Sequence, residues 1–389
     1  MSKALTKKIA QQIQAANGGW ISFDTFMQQA LYAPGLGYYE TREVFGREGD
    51  FLTGPDTGPW LSLGLADLVE WGWKKLDKPS QWSLVEQGGG SGRLLADVLA
   101  LLSEREMVMP TSIHAVERSA QMRERQKQSY AKLCVSVQQH DSLAEMQEAD
   151  NLIYFSNELP DAFPVRCFLW NQGMLRERGV GLGSNGDFCW SDRPAEAPGC
   201  LPTLSAGILQ QWPPGYFSEW NPYLADWQAD VSRIMRRGFV FSVDYGFAQA
   251  EYYRPHRVEG TLLGHLKHEP VHDVLADPGS RDITAHIDFT AMGRAGVDAG
   301  LAMSCWITQG AWLAQSPAVQ AYIQQAAAKT TAESMALMGG AKRMLLPQGM
   351  GELFKLCVQG KGVGGHDSGG APDYIESFNR IHALGLDDV

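Results

Sequence analysis

Residues 81–103, QWSLVEQGGGSGRLLADVLALLS, contain four glycines among five residues between an apolar run and a helical pattern. The run around Leu84 and Val85 predicts a short buried strand, and the leucines from Leu94 to Leu102 recur at helical spacing. Glycine reaches backbone conformations that are closed to residues with a Cβ, so a ligand can approach the main-chain N–H groups of such a turn. The stretch therefore predicts a strand, a ligand-binding turn and a helix.

The spacing of the glycines indicates which ligand fits. A dinucleotide-binding turn reads G-x-G-x-x-G, and in that register the third glycine falls on Arg93. The pattern that remains is E-x-G-x-G-x-G, formed by Glu86, Gly88, Gly90 and Gly92. S-adenosylmethionine sites have this form, because the cofactor lacks a pyrophosphate but carries an ammonium, a sulfonium and a ribose diol that suit a carboxylate. The turn thus predicts an S-adenosylmethionine cradle.

Two further acids follow the next two predicted strands. Glu117 follows the strand that contains Ile113 and Val116, where it can accept both ribose hydroxyls, and Asp141 ends the third strand, where it can accept from the adenine amino group. Each feature also has a structural explanation, since glycine turns join many strands to helices and acids often cap helices. Their order along one edge of a parallel sheet favours the nucleoside cofactor.

Composition narrows the class of protein. The 389 residues are 44% hydrophobic and 20% charged, as in ordinary globular chains, and the net charge of −11 argues against a nucleic-acid partner. A basic protein target fits this charge better. The six cysteines show no close spacing, so neither a zinc site nor a disulfide framework is indicated, and a reducing compartment is expected. Without a signal peptide or an apolar stretch of membrane-spanning length, the chain is expected to be cytoplasmic, with no membrane span.

The pattern along the chain predicts an α/β protein with seven core strands. Residues 1–80 are expected to form a helical N-terminal cap, and residues 81–166 and 231–365 a Rossmann-like core. Residues 167–230 predict an inserted β-rich subdomain, residues 250–285 an irregular insertion, and residues 366–389 a glycine-rich mobile tail.

The fourth strand ends in a second group of polar residues. In NLIYFSNELPDAFPVRCF, the apolar residues 152–155 run into Asn157, Glu158 and Asp161, at the edge where open α/β sheets bind ligands. Methyl transfer requires an aligned acceptor that loses a proton, and two carboxylates suit a guanidinium. The alternative is that Asn157 and Glu158 only end the strand and Asp161 caps a short helix before Pro164.

Later segments offer weaker candidates. Asp244 and Tyr245 follow a buried strand and can line an acceptor pocket, or simply form its closing turn. His286 lies between Asp282 and Asp288, and a neutral histidine near carboxylates can relay a proton. The three histidines of HLKHEPVH, His265, His268 and His272, do not predict a metal site, because Pro270 interrupts the helical face they would need.

Three stretches together resemble the MidA family of S-adenosylmethionine-dependent methyltransferases, relatives of a mitochondrial complex I assembly factor that methylates protein arginine. They are GDFLTGPDTG with LVEQGGGSGRLLADVL, then SNELPDAFPVRCF, and last SVDYG with PGSRDITAHIDF and TQG. The resemblance spans roughly residues 15–360. It implies a class I methyltransferase fold with inserted segments, S-adenosylmethionine as the cofactor, and an arginine of a protein as the acceptor. With the seven core strands counted along the chain, the sheet is expected to be seven-stranded and mostly parallel. No metal is expected, because methyl transfer from a sulfonium does not require one.

The resemblance also assigns roles. Glu86, Gly88, Gly90, Gly92 and Glu117 match the family's cofactor residues, and Asn157, Glu158 and Asp161 match its N-E-x-x-D. Asp141 and Asn157 join the predicted cofactor set, while Glu158, Asp161 and His286 form the predicted catalytic set. The segment 49–58 looks like a cover over the cofactor.

The turn departs from the family's usual G-P-G-x-G-T at Gly89, Ser91 and Arg93, and Arg93 places a cation near a cationic cofactor. The cover also departs, with Gly54, Pro55 and Asp56 where the family has S-P-E. A small-molecule O- or N-methyltransferase and a catalytically silent assembly protein remain alternatives. The sequence leaves open the acceptor's identity, the degree of methylation and the oligomeric state.

Overall fold

The computed structural model describes residues 2–41, 57–133, 135–195, 201–266, 269–329, 331–363 and 370–386. Its helices in these ranges are α1 (Ser2–Ala15), α2 (Phe23–Tyr32), α3 (Tyr38–Thr41), α4 (Trp60–Lys75), α5 (Arg93–Glu104), α6 (Ala120–Tyr130), α7 (Ala206–Leu209), α8 (Leu224–Arg233), α9 (Gln249–Tyr252), α10 (Phe289–Asp298), α11 (Gln309–Gln315), α12 (Pro317–Ala327) and α13 (Ala332–Leu345). Its strands are β1 (Trp20–Ser22), β2 (Ser83–Gln87), β3 (Ser112–Val116), β4 (Gln138–His140), β5 (Leu152–Asn157), β6 (Arg166–Asn171), β7 (Met174–Leu182), β8 (Phe188–Pro194), β9 (Tyr216–Trp220), β10 (Gly238–Phe247), β11 (Leu263–Leu266), β12 (Glu269–Val271), β13 (Asp282–Thr284), β14 (Ile287–Asp288), β15 (Ala302–Thr308) and β16 (Phe354–Lys361).

The central sheet confirms the predicted α/β fold. Its strands lie in the order β15-β16-β10-β5-β2-β3-β4. The run from β10 to β4 is parallel, whereas β16 is antiparallel to both of its neighbours. The sheet has eight strands where seven were expected, because the two-residue β14 pairs with the end of β10. A strand of two residues is too short for any periodic sequence signal.

Two apolar layers cover the central sheet. One face packs against α4, α5, α11 and their neighbours, and the other face packs against α8 and α10. The helix α5 contributes Leu94, Leu95, Val98, Leu99 and Leu102, all buried, as the spacing predicts. Burial of each such side chain stabilises the fold by about 1.5–3 kcal/mol, so α5 holds the glycine turn firmly at its N-terminus.

The segments before and between the core strands form a second layer. The strands β1, β7, β6 and β9 follow one another in an antiparallel sheet, and β8 pairs with β7. The short β1 is therefore joined to the inserted strands by main-chain bonds. The approach is close, since a Cβ on Gly179 would lie 2.3 Å from the carbonyl oxygen of Ile21. The N-terminal helices and the insertion thus share one apolar core.

Residues 370–386 differ from the predicted mobile tail. Ala371, Ile375 and Leu384 are buried, and the Asn379 side chain accepts a hydrogen bond from the Trp306 N–H and donates to the Ser304 carbonyl. Through these hydrogen bonds, the segment 370–386 covers the edge strand β15. Apolar side chains spaced among glycines and polar residues are enough to dock this segment on the core.

No helix in the described ranges is both long and apolar enough to cross a membrane.

Candidate active site

The carboxyl ends of β2, β3 and β5 open into a cavity of about 280 Å³. Its lining combines strand-end residues with side chains of the N-terminal helices. The described lining residues are Tyr32, Tyr39, Glu40, Gln87, Gly88, Val116, Glu117, Arg118, Ser119, Met122, Glu158, Leu159, Ala162, Phe163 and Pro164. Gly88, Glu117 and Glu158, which were predicted from three separate stretches, therefore meet at one cavity.

The glycine turn requires its glycines. Gly88, Gly90 and Gly92 have φ angles of +73°, +50° and +76°, in the left-handed region that residues with a Cβ rarely adopt. The helix α6 holds the turn from the side, because the Gln126 amide donates to the Gly90 carbonyl at 3.1 Å and the Ser129 hydroxyl donates to the Ser91 carbonyl at 2.7 Å. The turn is thus a preformed main-chain cradle.

Glu86 lies beneath this turn with one oxygen unpaired. The side chain is 2% exposed, and its Oε2 has no hydrogen-bond partner among the described residues. A Cβ on Gly89 would lie 2.2 Å from that oxygen, so the turn wraps closely over the carboxyl group. Burial, together with the nearby Glu117, raises the pKa of Glu86 to about 8. A buried unpaired carboxyl under a main-chain cradle is suited to a ligand with cationic or hydroxyl groups.

Glu117 lines the cavity directly. Its carboxylate accepts from the Ser119 N–H at 3.0 Å and also from the Gly90 N–H, while burial raises its pKa. Ser119 caps α6 as predicted, since its hydroxyl accepts from the Met122 N–H. The Glu117 side chain is therefore oriented by both the turn and the helix cap.

Several residues at or near the cradle are not among the described cavity-lining residues, namely Glu86, Gly90, Gly92, Arg93 and Asp141. Asp141 follows β4, is exposed, and its N–H donates to Glu145. Its predicted contact with adenine stays a prediction. Arg93 is half exposed and lies 3.5 Å from Asp97 in α5, so its charge is directed along the helix and partly balanced there.

At the end of β5, Glu158 has an unusual backbone. Its φ is +50°, which for a residue with a Cβ costs about 1–3 kcal/mol and is retained mainly at functional sites. Its N–H donates to the Val243 carbonyl at 2.9 Å, and its carboxylate accepts from the Asn157 amide at 3.1 Å. These bonds hold the Glu158 side chain at the cavity.

Asp161 follows the cavity-lining residues Glu158 and Leu159, in the short 3₁₀ turn Pro160–Ala162. Its carboxylate accepts from the Tyr245 hydroxyl at 2.6 Å, and its N–H donates to Asp244 at 3.2 Å. Burial raises the pKa of Asp161 to about 6, and burial beside Asp161 raises the pKa of Asp244 further. Asp161 is not among the cavity-lining residues, so it supports the Glu158 segment from below.

The three residues predicted to relay a proton do not meet. His286 packs edge-on to the Tyr245 ring, with ring centres 5.1 Å apart, and burial lowers its pKa to about 3. Asp288 accepts from the Ala291 N–H as the N-cap of α10, and Asp282 accepts from the Tyr39 hydroxyl. The histidine is neutral, as the relay hypothesis requires, but it contacts Tyr245 instead of a carboxylate.

Aromatic residues of the N-terminal helices form a wall that was not predicted. Tyr39 donates to both oxygens of Asp282 at 3.0 Å, and Tyr32 donates to the Ala162 carbonyl at 2.7 Å. The two rings stack, with centres 5.4 Å apart. The only sequence feature that pointed to this aromatic wall was the presence of tyrosines in the turn-rich stretch 32–39. Of the predicted cover, residues 49–56 lie outside the described ranges.

Metal binding receives no support from the described residues, which contain no group of three or more potential ligands. His268, one of the three clustered histidines, lies outside these ranges.

The comparison with known families agrees with this geometry. Residues 65–306 match the profile of a family of S-adenosyl-L-methionine-dependent methyltransferases. The chain belongs to this family. The resemblance inferred from the sequence, the enzyme class and the cofactor are thereby confirmed. When bound, S-adenosylmethionine supplies a methyl group on a sulfonium, and the unpaired Glu86 oxygen under the positive-φ glycines fits such a ligand.

Individual relatives extend the match over almost the whole chain. A crystal structure from Burkholderia thailandensis of a methyl transferase superfamily member bound to S-adenosyl-homocysteine is 30% identical, covers 98% of this chain and 97% of its own, and has a TM-score of 0.85. The "Protein arginine methyltransferase NDUFAF7 homolog, mitochondrial" of Drosophila melanogaster is 27% identical over 385 residues, covering 91% of this chain and 85% of its own. The NDUFAF7 protein of Danio rerio is 27% identical with similar coverage, 91% and 86%. The Drosophila and Danio relatives are named mitochondrial, which overturns the expected cytoplasmic location.

Proposed function

We propose that this methyltransferase transfers the methyl group to an arginine side chain of a protein substrate. The printed names of the Drosophila and zebrafish relatives support this acceptor class. In this proposal, Glu86, Gly88, Gly90, Gly92 and Glu117 hold the cofactor, Asp141 reaches its adenine, and Asn157 orients Glu158.

The observation that carries the proposal is the position of Glu158 in an acidic cavity with aromatic walls. The carboxylates of Glu40, Glu117 and Glu158 line it, against one basic side chain, Arg118, among the described lining residues. A carboxylate can bind a guanidinium through two parallel hydrogen bonds, and aromatic faces favour cations. With Glu117 assigned to the cofactor, the Glu40 and Glu158 carboxylates remain for the acceptor, and a neutral acceptor would gain little from them.

The chemistry assigns a task to each acceptor-side residue. A guanidinium has a pKa above about 12, so it needs a base nearby when its nitrogen forms the new bond. Glu158 is proposed to align the guanidinium and accept its proton. Asp161 is proposed to position the Glu158 segment, and its pKa of about 6 leaves it mainly ionised above neutral pH. His286 is proposed to act through Tyr245, whose ring it contacts.

The acceptor class is tested with matched peptides. The purified protein is incubated with methyl-labelled S-adenosylmethionine and a glycine- and arginine-rich peptide, or with the same peptide in which lysine replaces every arginine. Label on the arginine peptide, located on guanidinium nitrogens by mass spectrometry and suppressed by S-adenosylhomocysteine, is the expected result. Transfer to the lysine peptide, or to free arginine alone, would contradict the proposal, the second result favouring a small-molecule acceptor.

A further inference from the structure

Gln87 is a cavity-lining residue to which neither the motif nor the family gives a role. It is the last residue of β2, between Glu86 and Gly88, and its backbone pairs with Ser156 in β5. Its side chain is on the opposite face of β2 from Glu86, since successive strand residues alternate. The residue thus lies between the glycine turn and the strand end that carries Glu158.

Two buried side chains lock the Gln87 amide. Its Oε1 accepts from the Tyr154 hydroxyl at 2.7 Å and from the Trp227 indole Nε1 at 3.2 Å. The indole N–H can only donate, so the amide atom facing it must be the oxygen. The orientation of the amide is therefore determined by chemistry, and its NH₂ group is directed away from Tyr154 and Trp227.

The Gln87 NH₂ group is a free donor beside the cavity. No described residue accepts a hydrogen bond from it, and Gln87 is only half buried. The hydroxyl donors of the cavity wall are already used. Tyr32 donates to Ala162, Tyr39 donates to Asp282, and Ser119 donates to the Tyr39 carbonyl.

Among the described cavity side chains, Arg118 is the other donor to consider, but its guanidinium lies 3.0 Å from the Gln28 side-chain amide, whose oxygen can accept from it. Its guanidinium lies over the Tyr32 ring, 4.8 Å from the ring centre, and it directly follows Glu117 at the end of β3. Arg118 therefore lies on the side of the cavity where Glu117 is proposed to hold the ribose. Gln87 lies at the opposite side, next to the strand that ends at Glu158.

We propose that the Gln87 NH₂ group binds the α-carboxylate of S-adenosylmethionine. This carboxylate is the cofactor's one anionic group, and the cavity acids Glu40, Glu117 and Glu158 would repel it. The reactive sulfonium must face the acceptor beside Glu158, so the amino-acid part of the cofactor has to lie near the adjoining ends of β2 and β5. A donor locked at that position meets the carboxylate without loss of side-chain freedom on binding.

The test compares two ligands that differ in one group. Binding of S-adenosylmethionine and of decarboxylated S-adenosylmethionine is measured by calorimetry for the wild type and for Gln87→Glu. This variant is isosteric and keeps an oxygen for Tyr154 and Trp227, but replaces the NH₂ donor by an anion. We expect its affinity for S-adenosylmethionine to fall about tenfold or more, and its affinity for the decarboxylated ligand to stay unchanged or rise.

A second variant separates the donor from the added charge. Gln87→Met keeps the length and adds no charge, but it removes the oxygen bonded by Tyr154 and Trp227 together with the NH₂ donor. The role of the donor is therefore taken from the difference between the two ligands, and the same selective loss, somewhat smaller, is expected. Arg118→Gln is the matched control, and it should lower the affinities for both ligands equally or leave both unchanged. An equal loss of both ligands in the Gln87 variants, no loss at all, or a carboxylate-selective loss in Arg118→Gln would overturn the proposal.

The inference rests on the cofactor and not on the proposed arginine acceptor, and the binding measurement contains no acceptor. Failure of the peptide assay therefore leaves it intact. A wild-type protein that bound neither ligand would instead overturn the cofactor site and this role of Gln87 together.

Discussion

The two sides of the cavity are built in different ways. The proposed cofactor side centres on one continuous stretch, Glu86 to Gly92, whose main-chain conformation forms a cradle that α6 holds, with Glu117 added from the end of β3. The acceptor side is assembled from side chains distant in the chain, since Asp161 is joined to Asp244 and Tyr245, and Asp282 to Tyr39. In the proposed function, a local backbone motif thus binds the cofactor, whereas recognition of the acceptor depends on the complete fold.

The buried acids on the two sides differ in one respect only. Glu86 Oε2 and Asp161 Oδ1 both lack a hydrogen-bond partner among the described residues. The other oxygen of Asp161 accepts from the Tyr245 hydroxyl, whereas no described side chain donates to Glu86. Tyr245 therefore helps to hold the Asp161 carboxyl in place, while a cationic ligand is suited to the Glu86 carboxyl.

The largest effect is expected from breaking the backbone of the cradle. Gly90→Val places a β-branched residue at φ +50° and displaces the N–H that reaches Glu117. Affinity for S-adenosylmethionine, measured by calorimetry, should fall more than about 100-fold while circular dichroism stays native. Gly339→Val is the control, because a Cβ there meets nothing within 4 Å. Unchanged binding in Gly90→Val would mean that the turn is not the cofactor site.

The second largest effect is expected on the rate of methyl transfer without a change in cofactor binding. Glu158→Gln keeps the shape of the side chain but removes its charge, so turnover should fall about 100-fold, with cofactor affinity unchanged. The arginine-peptide assay and calorimetry measure the two quantities. Glu148→Gln, at an exposed surface glutamate, should leave both as in the wild type. Full turnover in Glu158→Gln would reduce Glu158 to a structural strand end.

Cofactor binding should depend on pH through Glu86. The pKa of Glu86 is about 8, so the group is mostly protonated at pH 7, and a cationic ligand favours its ionised form. Binding then releases a proton, and affinity should rise between pH 6 and 8 by up to about tenfold per pH unit. Calorimetry in buffers of different ionisation enthalpy counts the proton. Glu86→Gln corrects for titration of the ligand itself, and an identical pH dependence in this variant would contradict the assignment.

The smallest effect is expected from loosening the acceptor side. Tyr245→Phe removes the 2.6 Å donor to Asp161, so the pKa of that carboxyl should rise above about 6. The acidic limb of the kcat/KM profile should move up by about one pH unit, and turnover near neutral pH should fall a few-fold. Tyr252→Phe is the control, since its hydroxyl bonds the buried Glu219 in a different cluster. An unmoved profile in Tyr245→Phe would separate Asp161 from the reaction.

The cofactor side could be predicted from the sequence because the sequence features that indicate it are local. The apolar strand, the glycine spacing, the leucines of α5 and the Ser119 cap each concern a few consecutive residues, and the structure agrees with them. The stacked tyrosines and the locked Gln87 were missed, because their roles arise from partners such as Asp282 and Trp227, far away in the sequence. The proton relay around His286 failed for the same reason, since nearness in sequence did not bring its carboxylates together in space.

The sequence by itself determined the methyltransferase family, the α/β core and the position of the cofactor turn, because periodicity and φ restrictions act over a few residues. Only the tertiary structure decided which carboxylates line the cavity, which lie behind its wall, and which donor remains free. Burial and hydrogen-bond partners set those properties, and they exist only when β2, β3, β5, β10 and the N-terminal helices have packed together.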